Sequence, residues 1–194
     1  KSEPLNYVHL ESAALALFNK QKEKSKNTYM VDLISRYVLL GLNTGLRFSD
    51  VVKLDLTNFK LANNGDSSYY HCTIIQTKTE LPVKVRIPIK MYTLLLDNAL
   101  YWNIEEQPFI NLFDKQKNVI TLMSIERLLK KYFNQLDENI TSHSVRKTAA
   151  YKLYKQSGNL AYCQKLLGHK KLQSTFLYLD TTEIDYEDYY TSTL

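Results

Sequence analysis

Cysteine is scarce: the 194 residues contain two, Cys72 and Cys163. Neither belongs to a Cys-x-x-Cys pair, and neither has a second His at metal-ligand spacing, so the sequence offers no zinc motif and no disulfide framework. Both are expected as buried, reduced thiols of an intracellular protein. No apolar run approaches the roughly 20 residues that span a bilayer, and no signal peptide opens the chain. Neither a Gly-x-Ser-x-Gly elbow nor a Gly-x-x-x-x-Gly-Lys loop occurs, which argues against a serine hydrolase and a P-loop enzyme. Internal repeats and low-complexity segments are missing too.

What is present is a chain of single-domain length, 44% hydrophobic, and therefore able to build a core rather than remain disordered. Its net charge of +5 is unevenly placed. Five of the 20 acidic residues (Asp180, Glu183, Asp185, Glu187 and Asp188) fall in the last fifteen positions, which hold no Lys or Arg. Residues 1–179 then carry 25 basic against 15 acidic side chains. A basic body with a short acidic tail suggests a polyanionic partner. The 15 tyrosines are a high number.

Leu10, Ala13, Ala14, Leu17 and Phe18 recur at helical spacing and predict an amphipathic helix, followed by a polar stretch with Lys20, Lys22, Lys24 and Lys26. Those lysines suit a solvated loop or a phosphate contact. A second helix is expected from about Tyr29 to Leu42, then a turn at Asn43-Thr44-Gly45 and a short helix from Ser49 and Asp50 through Leu54. Asn63-Asn64-Gly65-Asp66 signals a turn. Two β-type runs follow, Tyr70–Thr77 and Val83–Ile89, joined through Lys78–Pro82 as an antiparallel hairpin. Further helices are expected over Met91–Tyr101, along the stripe from Ile125 to Leu136, from His143 to about Gln156 behind a Thr141 or Ser142 cap, over Leu160–Leu167 and over Leu172–Leu179. The fold class is α+β, mainly α with a small antiparallel β-sheet.

Four segments carry candidate chemistry: Thr44-Gly45-Leu46-Arg47-Phe48-Ser49-Asp50; the hairpin lysine Lys78; His143-Ser144-Val145-Arg146; and Leu167-Gly168-His169, with Tyr178 nine residues further on. In this order and spacing they resemble the tyrosine recombinase (phage integrase) family over about residues 30–180. The resemblance implies the family's catalytic core fold. Arg47 and Arg146 would grip the scissile phosphate, and Tyr178 would be the nucleophile. His143 and His169 would be the active-site histidines, Lys78 the hairpin lysine and Asp50 a supporting acid. Lys84 in the same hairpin competes with Lys78; Lys78 is favoured because it sits in Gln-Thr-Lys-Thr at the end of the first hairpin strand.

These residue types suit phosphoryl transfer. Guanidinium forks stay charged and match phosphate oxygens, where transition-state charge gathers. Arg146 near a helix N-terminus adds anion-favouring backbone donors. A tyrosine attacking phosphorus would leave a 3′-phosphotyrosine that a 5′-hydroxyl can reverse without ATP. Lys78 would protonate the leaving oxygen, and His143 would act as base or share a hydrogen bond. No cofactor and no metal are expected.

The implied function is DNA cutting and rejoining by a site-specific recombinase or integrase of a mobile element or phage. The implied partners are double-stranded DNA and further copies, four on two DNA sites, with no membrane partner. The rivals are a type IB topoisomerase-like activity, a catalytically inactive DNA-binding module of the same fold, and a plain helix-turn-helix regulator. Residues 1–179 are expected as the catalytic domain. Upstream DNA-binding domains are expected to be missing from a chain that starts at Lys1 and reads as a fragment. Residues 180–194 form an acidic tail expected to dock on a neighbouring copy or fold back in cis. Tyr186, Tyr189 and Tyr190 in that tail are rival nucleophiles at the wrong distance from His169. The expected location is cytoplasmic, at the nucleoid of a prokaryote or in the host of a mobile element.

Overall fold

A computed structural model describes residues 4–19, 25–65, 67–103 and 120–179. Eight helices and a small sheet are formed by these residues. The helices are α1 (Tyr7–Asn19), α2 (Lys26–Thr44), α3 (Phe48–Val51), α4 (Ile89–Trp102), α5 (Leu122–Phe133), α6 (Ser142–Ser157), α7 (Leu160–Leu167) and α8 (Leu172–Leu179). Strands β1 (Lys60–Asn64), β2 (Ser67–Ile75) and β3 (Pro82–Pro88) form an antiparallel sheet in the order β1-β2-β3, with α2 and α4 packed on it. No described helix is long and apolar enough to cross a membrane.

Helix α2 is the axis of the core. Leu33, Ile34, Tyr37, Val38, Leu39 and Leu40 are all buried, as are the polar Asp32, Ser35 and Arg36, so the helix is buried around nearly its whole circumference. A Ser25–Thr28 capping box starts it and Gly45, in the left-handed region, stops it. Asp32 pins α4 to α2, accepting hydrogen bonds from Asn98 Nδ2 and Trp102 Nε1, each at 2.7 Å.

Two close approaches bring the site segments together. A Cβ on Gly41 would stand 2.8 Å from Val145 Cγ1, so the Val145 side chain of α6 seats directly on the α2 backbone. A Cβ on Gly45 would meet Leu166 Cδ2 at 2.7 Å, which seats the α2–α3 turn against α7. Helix α6 begins with a Thr141–Ser144 capping box and ends at the left-handed Gly158. A second apolar cluster of Ala150, Cys163, Leu167 and Leu179 joins α6, α7 and α8, with Tyr178 packed against it.

Three expectations require adjustment. Strand β1 is an addition: Lys-Leu-Ala-Asn-Asn has little strand propensity and is held by its ladder to β2, Lys60 opposite His71 through Asn64 opposite Ser67. The Asn63–Asp66 turn narrows to Gly65, because Asn63 and Asn64 belong to that ladder. The helix expected through Leu54 stops at Val51, where Val52 N–H turns back to Phe48 O and Asp50 O. Both cysteines are free and buried, as expected. Lys20, Lys22, Lys24, Asp66 and the whole of 180–194 lie outside the described residues.

Candidate active site

Arg146 is the hub of the site. It is 4% exposed on the first turns of α6. Its Nη1 donates to Gly45 O at 2.8 Å and its Nη2 to Leu167 O at 2.6 Å. One side chain thus ties together the turn that carries Arg47 and the turn that carries His169. The backbone donors expected to assist it are partly occupied, since Ser144 N–H is taken by the Thr141 cap. Burial and the neighbouring Arg47 push the Arg146 guanidinium down to about 10, which leaves it cationic at neutral pH.

Arg47 lies beside it, half-buried at the N-cap of α3. Its Nη1 is buried with no hydrogen-bond partner among the described residues. A buried charged donor without a partner is costly, and two facing guanidiniums repel. Both penalties disappear when an oxyanion sits between them. Arg47, Arg146, Phe48, Ser49, Leu122, Ser142 and the exposed His143 line one cleft of ≈ 190 Å³.

Tyr178, on α8, comes up to two of the residues that line this cleft, His143 and Arg146. Its hydroxyl stands 3.5 Å from the His143 carbonyl oxygen, at the limit of a hydrogen bond, and within hydrogen-bonding reach of Arg146. Burial raises the phenol above its usual value, while Arg146 and Arg47 pull it back. The His169 ring meets the Tyr178 ring edge to face at 5.4 Å. Burial, then Arg146, Arg47 and Lys78, push the His169 imidazole down to about 4, so it is neutral at neutral pH.

Lys78 is exposed in the turn between β2 and β3, close enough for its charge to act on His169. Lys84 instead stands opposite Thr73 on β3 and acts on His71 across the sheet. Asp50 is fully buried, and its Oδ1 accepts from Thr77 N at 2.7 Å and Thr77 Oγ1 at 2.9 Å. The six candidate catalytic side chains and Asp50 thus converge on one region.

The supporting roles of three residues escaped the sequence reading. Thr77 anchors the Lys78 turn to Asp50. Thr175, fully buried, shares a 3.0 Å hydrogen bond with His169 Nδ1. Gln76 lies against Gly168, where an added Cβ would collide with its Oε1. Gln76 and Thr77 stand in the Gln-Thr-Lys-Thr that marks Lys78, but their partners Gly168 and Asp50 come only from tertiary packing, and no motif marks Thr175. Among the described residues no group of three or more His, Cys, Asp or Glu gathers to hold a metal.

Comparison with known proteins matches the profile described as the phage integrase family over residues 9–183. The chain belongs to the phage integrase family. Among curated family members, the tyrosine recombinase XerS of Streptococcus pneumoniae (strain Hungary19A-6) is 29% identical over 177 residues, covering 87% of this chain and 45% of that protein. XerS of Streptococcus sanguinis (strain SK36) is 27% identical over 176 residues, with the same coverage. The chain therefore spans about half the length of these relatives. The integrase fold is reproduced by the XerH site-specific recombinase in a post-cleavage complex with a palindromic difH substrate, at TM-score 0.68 and 19% identity over 99% of this chain and 53% of that one. The Tn1549 transposon integrase bound to circular intermediate DNA gives TM-score 0.64 and 20% identity over 100% of this chain and 66% of that one.

Proposed function

We propose that this chain is the catalytic domain of a site-specific recombinase that breaks and rejoins DNA through a 3′-phosphotyrosine. The observation that carries the reading is that Arg47 and Arg146 share one cleft, with one buried arginine donor unpartnered, and that the Tyr178 hydroxyl lies within hydrogen-bonding reach of Arg146.

Arg47 and Arg146 bind the non-bridging oxygens of the scissile phosphate and stabilise the charge that develops there. The neutral His169 donates a further hydrogen bond through Nε2 while Thr175 occupies Nδ1. The Tyr178 oxygen attacks phosphorus, the bond to the 5′-oxygen breaks, and Lys78 gives that oxygen its proton. His143 accepts or shares the phenolic proton. The 5′-hydroxyl of a partner strand then attacks the phosphotyrosine, releasing Tyr178 and resealing the backbone. Arg146 and Arg47, held against the phenol, favour its ionisation, and the bound phosphate offsets part of that effect.

The reading extends to four copies on two DNA sites, to mobile-element integration or excision, and to action at the nucleoid in the cytoplasm. Residues 180–194 serve as a contact between copies or fold back in cis. The test is a nicked duplex bearing the recombination site of the encoding element or locus. Cleavage releases the short 5′ fragment and traps the full-length protein on DNA. A denaturation-resistant protein–DNA band supports the reading, and binding without such a band contradicts it. Relaxation of a plasmid that carries no recombination site would instead indicate topoisomerase-like action.

A further inference from the structure

The outward face of the sheet carries charge that the reaction above leaves unused. Cys72, Val85 and Ile87 are buried in the core, so their alternates on β2 and β3 point away from it. The register places Lys60, His71 and Arg86 directly across from one another on the three strands, with Lys84 opposite Thr73 in the next row on that face. The strands β1, β2 and β3 contain no Asp or Glu. Among the described residues no carboxylate pairs with Lys60, Lys84 or Arg86. Arg86 rests 5.3 Å from the centre of the Tyr69 ring, which holds its guanidinium on this face.

Like charges directly opposite each other destabilise a sheet. Here one row presents Lys60, His71 and Arg86 together. Partial shielding and the surrounding Lys84, Arg86 and Lys60 hold the His71 imidazole below its usual value, so it stays neutral and relieves part of the repulsion. A surface that concentrates cations at some expense in stability is matched to an anion. The rows lie about 7 Å apart along the strands, and Lys60 lies about 10 Å from Arg86 across them. Duplex DNA carries one negative charge per roughly 1.7 Å of axis, dense enough to meet every cation of such a lattice. The rest of the face is mixed, with Asn64, Ser67 and Thr73 beside Ala62, Tyr69 and Ile75, and the cations occupy its two middle rows. It also runs straight into the Lys78 turn through both strands of the hairpin.

We propose that this face is a second DNA contact, on which Lys60, Lys84 and Arg86 hold backbone phosphates of the duplex arm beyond the cleavage point. The proposal rests on the recombinase reading for the identity of the duplex, and adds a contact that reads charge rather than sequence. It also makes the hairpin a lever: an arm seated on the sheet steadies the turn that carries Lys78.

The test compares the full-length protein with its Lys60→Gln, Lys84→Gln, Arg86→Gln triple variant, measuring affinity for the recombination-site duplex across a potassium chloride series. Each phosphate contact contributes about −0.9 to the slope of log affinity against log salt. The triple variant is expected to lose about two to three units of slope and at least tenfold in affinity near physiological salt. Its thermal midpoint is expected to stay or rise, because like charges have been removed. An unchanged slope overturns the proposal. So does loss of multimer assembly with the slope unchanged, which would make the face a protein contact. Trapping on the nicked duplex at saturating protein is a separate readout. Its failure in the unaltered protein would overturn the recombinase reading, while the salt slopes would still decide the contact.

Discussion

Asp50 and Thr77 form the joint between the first arginine and the hairpin lysine: one carboxylate oxygen receives both the backbone N–H and the hydroxyl of Thr77, at 2.7 and 2.9 Å. Arg47 is three residues before Asp50, and Lys78 is the residue after Thr77. Asp50 therefore positions Lys78 without touching substrate. Thr77→Val removes one hydrogen bond of the pair and is expected to reduce stability by about 1 kcal/mol. Asp50→Ala leaves the Thr77 N–H without its acceptor and is expected to slow trapping on nicked duplex roughly tenfold to a hundredfold. A leaving group that needs no proton, such as a 5′-phosphorothiolate, should restore most of the loss if Asp50 acts through Lys78.

Gly168 is required twice over. Its φ of +59° lies in the left-handed region, and an added Cβ would collide with Gln76. Gly168→Ala is expected to destabilise the protein by roughly 1–3 kcal/mol, seen as a lowered thermal midpoint. Adding Gln76→Ala should recover only part, because it removes the collision and leaves the backbone conformation. Full recovery would mean that the φ angle is not a constraint.

Thr175 and His169 act as one unit. With its hydroxyl on Nδ1, Thr175 fixes which nitrogen faces the cleft, and it stands one helical turn before Tyr178 on α8. Thr175→Val keeps the shape and removes the hydroxyl; trapping is expected to slow about tenfold. Thr175→Ser should retain the rate. Nitrogen-15 shifts of the His169 ring should show mixed tautomers in the valine variant and a single one in the serine variant.

The four helical and hairpin segments that carry the site were legible because each has a local signature. Gly45 and Gly168 end helices in left-handed caps, Thr141 starts α6, and β2 and β3 show the required strand pattern. The acceptors of Arg146 were not legible. They are main-chain carbonyls of Gly45 and Leu167, 101 and 21 residues away, and any residue type supplies a carbonyl. Strand β1 was hidden for a related reason: its polar Asn-rich sequence becomes a strand only once β2 offers a ladder.

His169 provides a pH signature. The folded protein keeps it neutral down to about 4, whereas an unfolded chain protonates it near 6.5. The unfolded state thus binds more protons between those values, so stability falls as pH drops from about 6.5 toward 4 and is unaffected by this group above 6.5. Urea unfolding at pH 7.5 and pH 4.5 should show a smaller acid loss in His169→Asn. Binding of the duplex should raise the His169 pKa, since phosphate offsets the Arg47 and Arg146 charges that depress it; an unchanged titration in the complex would place the phosphate elsewhere.

The most direct test of the whole account is the position of the covalent bond. Full-length protein trapped on a nicked recombination-site duplex would be digested, and the nucleotide-bearing peptide identified by mass spectrometry. The account predicts the adduct on Tyr178 and its loss in Tyr178→Phe, with DNA binding retained. An adduct on Tyr186, Tyr189, Tyr190 or any other tyrosine would contradict the site described here, however well the fold agrees.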